Sequence, residues 1–154
     1  MWYNLSMKNP IQKHHIIATA VCAIVVSASI FTGKCEAQIR KKNLMDAICN
    51  VESNCDSSKV GDNGDSIGAY QIQYAYWLDA TEFSGIGGEY EDVLDDEYAQ
   101  QIVLAYWNRY ATMKRLGRIP TDEDRARIHN GGPNGYKKTA TVIYWNNIKK
   151  ELND

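Results

Sequence analysis

The stretch Ile48-Cys49-Asn50-Val51-Glu52-Ser53-Asn54-Cys55 ends an apolar repeat and opens a polar one. Upstream of it, Leu44, Ile48 and Val51 recur at three- and four-residue spacing, so residues 41–53 are expected to form a short amphipathic helix. That helix should end between Asn50 and Cys55. Cys49 and Cys55 lie six residues apart and can close a small loop if the backbone turns back on itself. A ring so short constrains the unfolded chain less than a long one, so most stability must come from the core. Glu52 falls at the end of this helix, next to Val51 and near Ile48, in an apolar setting.

Downstream, residues 56–68 are dense in Asp, Ser, Asn and Gly, the signature of turns and a small hairpin. The aromatic-rich residues 70–79 suggest another short helix, and residues 84–88 a glycine-rich loop. The longest helical pattern covers residues 94–116, with Tyr98, Ile102, Tyr106, Tyr110 and Met113 on one face and Val103 and Trp107 beside it. Thr121 and Asp124 resemble a capping box at a helix start. The run His129-Asn130-Gly131-Gly132-Pro133-Asn134-Gly135 is expected to be a tight loop. Residues 137–152 should then form a closing helix with Val142, Trp145 and Ile148 on its apolar stripe. These elements add up to an α+β class, mainly helical, in one domain with a small β-hairpin and turn region.

At 154 residues the chain is sized for a single core. Residues 1–37 read as a signal peptide: Lys8, Lys13, His14 and His15 precede a largely apolar run over residues 16–31, and Cys35-Glu36-Ala37 offers a cleavage site. Met7 is an alternative start, and a retained anchor is the alternative to cleavage. Cleavage after Ala37 leaves a domain of residues 38–154, with Cys49 and Cys55 as its only cysteines. That domain holds 14 Lys and Arg against 18 Asp and Glu, a net charge of −4. Such a balance argues against nucleic acid as partner and provides no attraction to an anionic surface.

Breaking a glycosidic bond needs one carboxylic acid kept protonated near neutral pH and one carboxylate kept charged nearby. Environment supplies the difference, an apolar wall for the first and a polar loop for the second. Glu52 has the first setting; Asp62 and Asp65, in the polar turn, have the second. A glutamate followed by loop aspartates is common, and by itself the pattern is a weak signal.

Together with Ser66-Ile67-Gly68-Ala69-Tyr70-Gln71-Ile72, Tyr76-Trp77-Leu78-Asp79, the run over residues 127–135 and Tyr144-Trp145, the opening stretch resembles the invertebrate-type lysozymes, also called the destabilase family. The blocks occur in the family's order over residues 44–146. The resemblance implies a lysozyme-like fold with a cleft beside the hairpin, hydrolysing β-1,4 bonds between N-acetylmuramic acid and N-acetylglucosamine in peptidoglycan. It implies Glu52 as general acid and Asp62 as the second carboxylate, with Asp65 open as the alternative. With the N-terminal signal, the expectation is a secreted protein, a monomer, with no cofactor, no metal, and no stable membrane association once the signal is removed. The family is rich in cysteine, whereas this chain has Ala47, Ile67, Ala80 and Tyr136 at positions where cysteines are expected. Packing of Tyr and Trp should then carry the fold.

Other readings stand beside this one. Tyr70, Gln71, Trp77, His129, Asn130 and Gly131 are candidates for substrate binding; for Trp77 a core role is at least as well supported. Ser66 and His129 could serve a γ-glutamyl-lysine isopeptidase, although His129 is more simply a loop residue shaping the cleft. A catalytically silent glycan binder is the third reading. Residues 56–67 superficially resemble a calcium loop, but Val60 and Ile67 fall where oxygen ligands are needed. The acidic residues 89–97 read as a solvated loop and a favourable helix start.

Overall fold

A computed structural model describes residues 42–154; the expected signal peptide lies outside them. Helix α1 (Leu44–Ser53) begins where Asn43 accepts a hydrogen bond from the Asp46 N–H at 3.0 Å while Asp46 reciprocates toward the Asn43 N–H. Leu44, Ala47 and Ile48 form its buried face. It stops because Asn54 and Cys55 turn left-handed, at φ 56° and 58°, and return their N–H groups to Asn50 and Cys49 at 3.0 and 3.1 Å. Asn is among the few residues that tolerate this conformation. The Cys49–Cys55 disulfide closes across that turn, with Cα atoms 4.7 Å apart.

Three two-residue strands follow: β1 (Val60–Gly61), β2 (Ser66–Ile67) and β3 (Ile72–Gln73), in antiparallel order with Gly61 opposite Ser66 and Ser66 opposite Gln73. A 3-10 turn at Asp62–Gly64 joins the first pair. Helix α2 (Tyr74–Ser84) starts four residues later than the aromatic pattern suggests. Tyr70 and Gln71 instead make the corner into β3, Gln71 at φ 45°.

The expected long helix is two. Helix α3 (Asp96–Tyr110) is capped by Asp95, and α4 (Met113–Leu116) by the Thr112 hydroxyl, which accepts from the Arg115 N–H at 3.2 Å. The side-chain cap favours an extended Thr112 over another helical turn. Met113 is consequently exposed, not part of the apolar face. Helix α5 (Asp122–Gly131) has the expected box between Thr121 and Asp124, and runs through His129, Asn130 and Gly131. The loop expected there begins only at Gly132, which takes φ 75°. A 3-10 turn at Gly135–Lys137 precedes α6 (Thr141–Glu151), shorter than expected. Val142 points to solvent; Thr141 and Ile148 are buried.

The core joins these elements through fully buried Ile48, Ile72, Ile102, Ile128 and Ile148, one each from α1, β3, α3, α5 and α6. Each such side chain contributes about 1.5–3 kcal/mol by leaving water. Close approach of backbones is part of the packing: a Cβ on Gly135 would stand 1.8 Å from the Arg127 carbonyl oxygen. Among the described residues no helix is long and apolar enough to cross a membrane.

Candidate active site

Glu52 lies on the last turn of α1, held there by the left-handed stop and the disulfide. Its side chain is 18% exposed, so it is nearly removed from water without being sealed off. The Tyr144 hydroxyl, from α6, donates to Oε1 at 2.8 Å. His129 Nε2, from α5, stands 3.6 Å from the same oxygen. Burial pushes the Glu52 carboxyl up to about 7; the Tyr144 bond opposes this, and the negative charge of Asp62 adds to it.

His129 is neutral by the same physics. Burial pushes its imidazole down to about 4, although the Tyr70 carbonyl favours the protonated form. Nε2–H donates to that carbonyl at 3.2 Å, and Nδ1 accepts from the Tyr76 hydroxyl at 3.2 Å, a pattern that assigns the tautomer. Tyr76 is stacked on Tyr106, ring centroids 3.7 Å apart. A protonated imidazole beside Glu52 would favour the carboxylate; a neutral one does not.

The hairpin carries Asp62 and Asp65, the two candidates for a second carboxylate. Asp62 is exposed at the turn, at φ 49°, and its Oδ2 accepts from the Ser66 hydroxyl at 3.2 Å. That hydroxyl also faces Gln71 Oε1 at 3.1 Å, while the Gln71 amide donates to the carbonyls of Gly68 and Lys59 at 2.8 and 3.2 Å. The Gln71 side chain lies so close to β1 that a Cβ on Gly61 would meet its Oε1 at 2.0 Å. Gly61, Ser66 and Gln71 thus form one brace under Asp62. Asp65 is exposed one turn further on, and among the described residues only its backbone takes part in hydrogen bonds, accepting from the Tyr90 hydroxyl at 3.4 Å. The aspartate whose charge raises Glu52 is Asp62.

The remaining candidates divide. Tyr70 is only 3% exposed, so its ring belongs to the core and its carbonyl to the site. Gln71 braces the hairpin. The Trp77 indole donates to the Tyr98 hydroxyl at 3.0 Å, which in turn donates to the Gly87 carbonyl, a structural tie across α2 and α3. Asn130 is exposed, and the Gly131 carbonyl accepts from Lys138 Nζ at 2.6 Å. Ser66 and His129 share no hydrogen bond: the serine is 2% exposed and bonded to Asp62 and Gln71, and both imidazole nitrogens are engaged elsewhere. A nucleophile–base pair therefore does not form between them. Asp56, first residue of the calcium-like segment, caps a turn by accepting from the Ser58 N–H and hydroxyl at 2.9 and 2.6 Å. Among the described residues no three His, Cys, Asp or Glu side chains converge as a metal site.

A protein-family model described as Destabilase matches residues 41–151. The chain belongs to the destabilase family, the invertebrate-type lysozymes. This chain is 36% identical over 137 residues to a lysozyme of Magallana gigas, spanning 84% of this chain and 91% of that protein. It is 38% identical over 115 residues to invertebrate-type lysozyme 6 of Caenorhabditis elegans, spanning 68% and 82%. Among solved structures, Meretrix lusoria lysozyme in complex with Aeromonas hydrophila PliI superposes with a TM-score of 0.61 at 36% identity, covering 70% of this chain and 86% of that one. Tapes japonica lysozyme gives 0.60 at 30%, with the same coverage. Two of the positions where a destabilase is expected to carry cysteine, Ala47 and Ala80, are fully buried here, so packing stands where a cross-link was expected. Sequence reasoning missed Tyr144 and Tyr76 as residues of the candidate site. Their only signal was their place in the family's aromatic blocks.

Proposed function

We propose that this lysozyme-family chain hydrolyses the β-1,4 bond between N-acetylmuramic acid and N-acetylglucosamine in bacterial peptidoglycan, outside the cell, after removal of residues 1–37. Glu52 acts as general acid. Its proton passes to the glycosidic oxygen while the bond from that oxygen to the anomeric carbon breaks. Asp62 faces the positive charge that develops on the sugar ring, and water completes the hydrolysis and returns a proton to Glu52.

The observation that carries this reading is the difference between the two carboxyls. Glu52 is pushed up to about 7 by burial, so it retains its proton near neutrality. Asp62, on an exposed hairpin braced by Ser66, lies near enough for its charge to raise Glu52 further. Asp65 has no comparable tie to Glu52, and Asp62 is therefore assigned the second role.

The test uses the exported chain, whose first residue by sequencing should be Gln38, on bacterial wall suspensions. Glu52→Gln should abolish lysis, and Asp62→Asn should lower it by roughly 100-fold or more, whereas Asp65→Asn should stay within about threefold of wild type. Full lysis by Glu52→Gln would overturn the muramidase reading; a reversal of the two aspartate variants would move the second role to Asp65.

A further inference from the structure

The two oxygens of Glu52 are not equivalent. Oε1 accepts the Tyr144 hydroxyl at 2.8 Å and is the oxygen facing His129 Nε2 at 3.6 Å. Among the described residues no donor bonds Oε2. In a protonated carboxyl, the oxygen that accepts a hydrogen bond is the carbonyl oxygen, and the proton sits on the other. We propose that Tyr144 is a positioning residue: by holding Oε1 it assigns the transferable proton to Oε2 and fixes the direction in which that oxygen points. This rests on Glu52 being the general acid.

The groups around the carboxyl leave this task to Tyr144. His129 from α5 has committed its N–H to the Tyr70 carbonyl. Tyr76 from α2 has committed its hydroxyl to His129 Nδ1. Asp62, from the hairpin, brings only negative charge. Tyr144 itself, half-buried and beside Glu52, has its phenol pushed well above the ordinary range, so it remains a donor at every pH at which the enzyme could work. When the Oε2 proton passes to the glycosidic oxygen, the leaving sugar keeps the electron pair of the broken C–O bond and Glu52 becomes a carboxylate. The Tyr144 bond then strengthens, because its acceptor has become charged. Tyr144 thus makes the proton easier to give up as well as directing it.

The experiment is a pH–rate profile of wall hydrolysis for wild type, Tyr144→Phe and a chain with a ring-fluorinated tyrosine at position 144. Losing the donor removes an interaction that favours the Glu52 carboxylate, so the alkaline limb of the Phe variant should move up by roughly half a unit or more. Its kcat should fall about tenfold with KM within about threefold of wild type, because the bond is made to the acid and not to the substrate. The fluorinated ring is a more acidic phenol and a stronger donor of nearly the same shape, and should move the limb down. Opposite shifts in the two variants support the assignment; a limb that stays in place in both overturns it. If Tyr144→Phe does not fold, the direction of the fluorinated variant's shift decides alone. A lytic Glu52→Gln would instead remove the general-acid reading itself, an outcome separable from an unmoved limb.

Discussion

At the scale of single residues, two buried groups titrate in opposing senses. Glu52 is raised in the folded chain, so its contribution to stability is fully present below its unfolded value and is lost as pH rises through about 7. His129 is lowered, so the unfolded chain binds the extra proton and stability falls as pH drops from the ordinary histidine value towards about 4. Between those limits the two offset each other. Glu52→Gln should uncouple them. Above pH 7 it relieves a buried charge and should raise stability by about 1–3 kcal/mol, the gain vanishing towards acid pH. Urea titrations of both proteins across that range check this; a pH-independent difference would contradict it. Glu52 was singled out in sequence chiefly by the family's block around it, since an acid at an apolar helix end is by itself a weak signal. Tyr144 was not, since a tyrosine on a half-apolar helix reads as core until its hydroxyl's partner is known.

Helices and turns decide how well these residues are aimed. Asp124 shows the point for α5, which carries His129. Burial would raise its carboxyl, but the bonds from Arg118 and from the Thr121 N–H and hydroxyl outweigh that and hold it below the usual carboxylate range. Arg118 is largely exposed, so the ion pair itself counts for little and the cap for more. Asp124→Ala should destabilise the fold by about 1–3 kcal/mol through loss of the cap and of its hydrogen bonds. The loss should shrink at low pH, where protonation removes the same bonds from wild type. Denaturant midpoints at neutral and acid pH test it; an unchanged midpoint at neutral pH would refute it. Both this box and α1 were readable, because capping residues and apolar spacing are local. The break between α3 and α4 was not: periodicity continues across Thr112, and only the hydroxyl's choice of the Arg115 N–H ends the helix. The extension of α5 through Gly131 was hidden for the converse reason, since Asn and Gly signal a loop even where they form a helix's last turn.

Across the whole molecule, charge sets how the enzyme meets its substrate. Residues 38–154 carry a net −4; with the anionic bacterial wall proposed as substrate, approach is opposed by long-range repulsion. Raising ionic strength from about 0.01 to 0.15 M shortens the screening length from roughly 30 to 8 Å and should speed lysis about twofold or more. Turbidity assays over that range check it; a monotonic fall with salt would mean that a local basic patch governs approach. The class, single domain and hairpin were legible from the spacing and from the order of blocks over residues 44–146. What draws Glu52, Asp62, His129 and Tyr144 together was not, because those contacts link residues as many as 92 positions apart and leave no local pattern. That separation matters during synthesis. A ribosome that has made Glu52 has still to make the helix bearing its phenolic partner, so the nascent chain holds the carboxyl well before the Tyr144 bond can form. On the proposed reading, the site is complete only once α6 has been made and has docked.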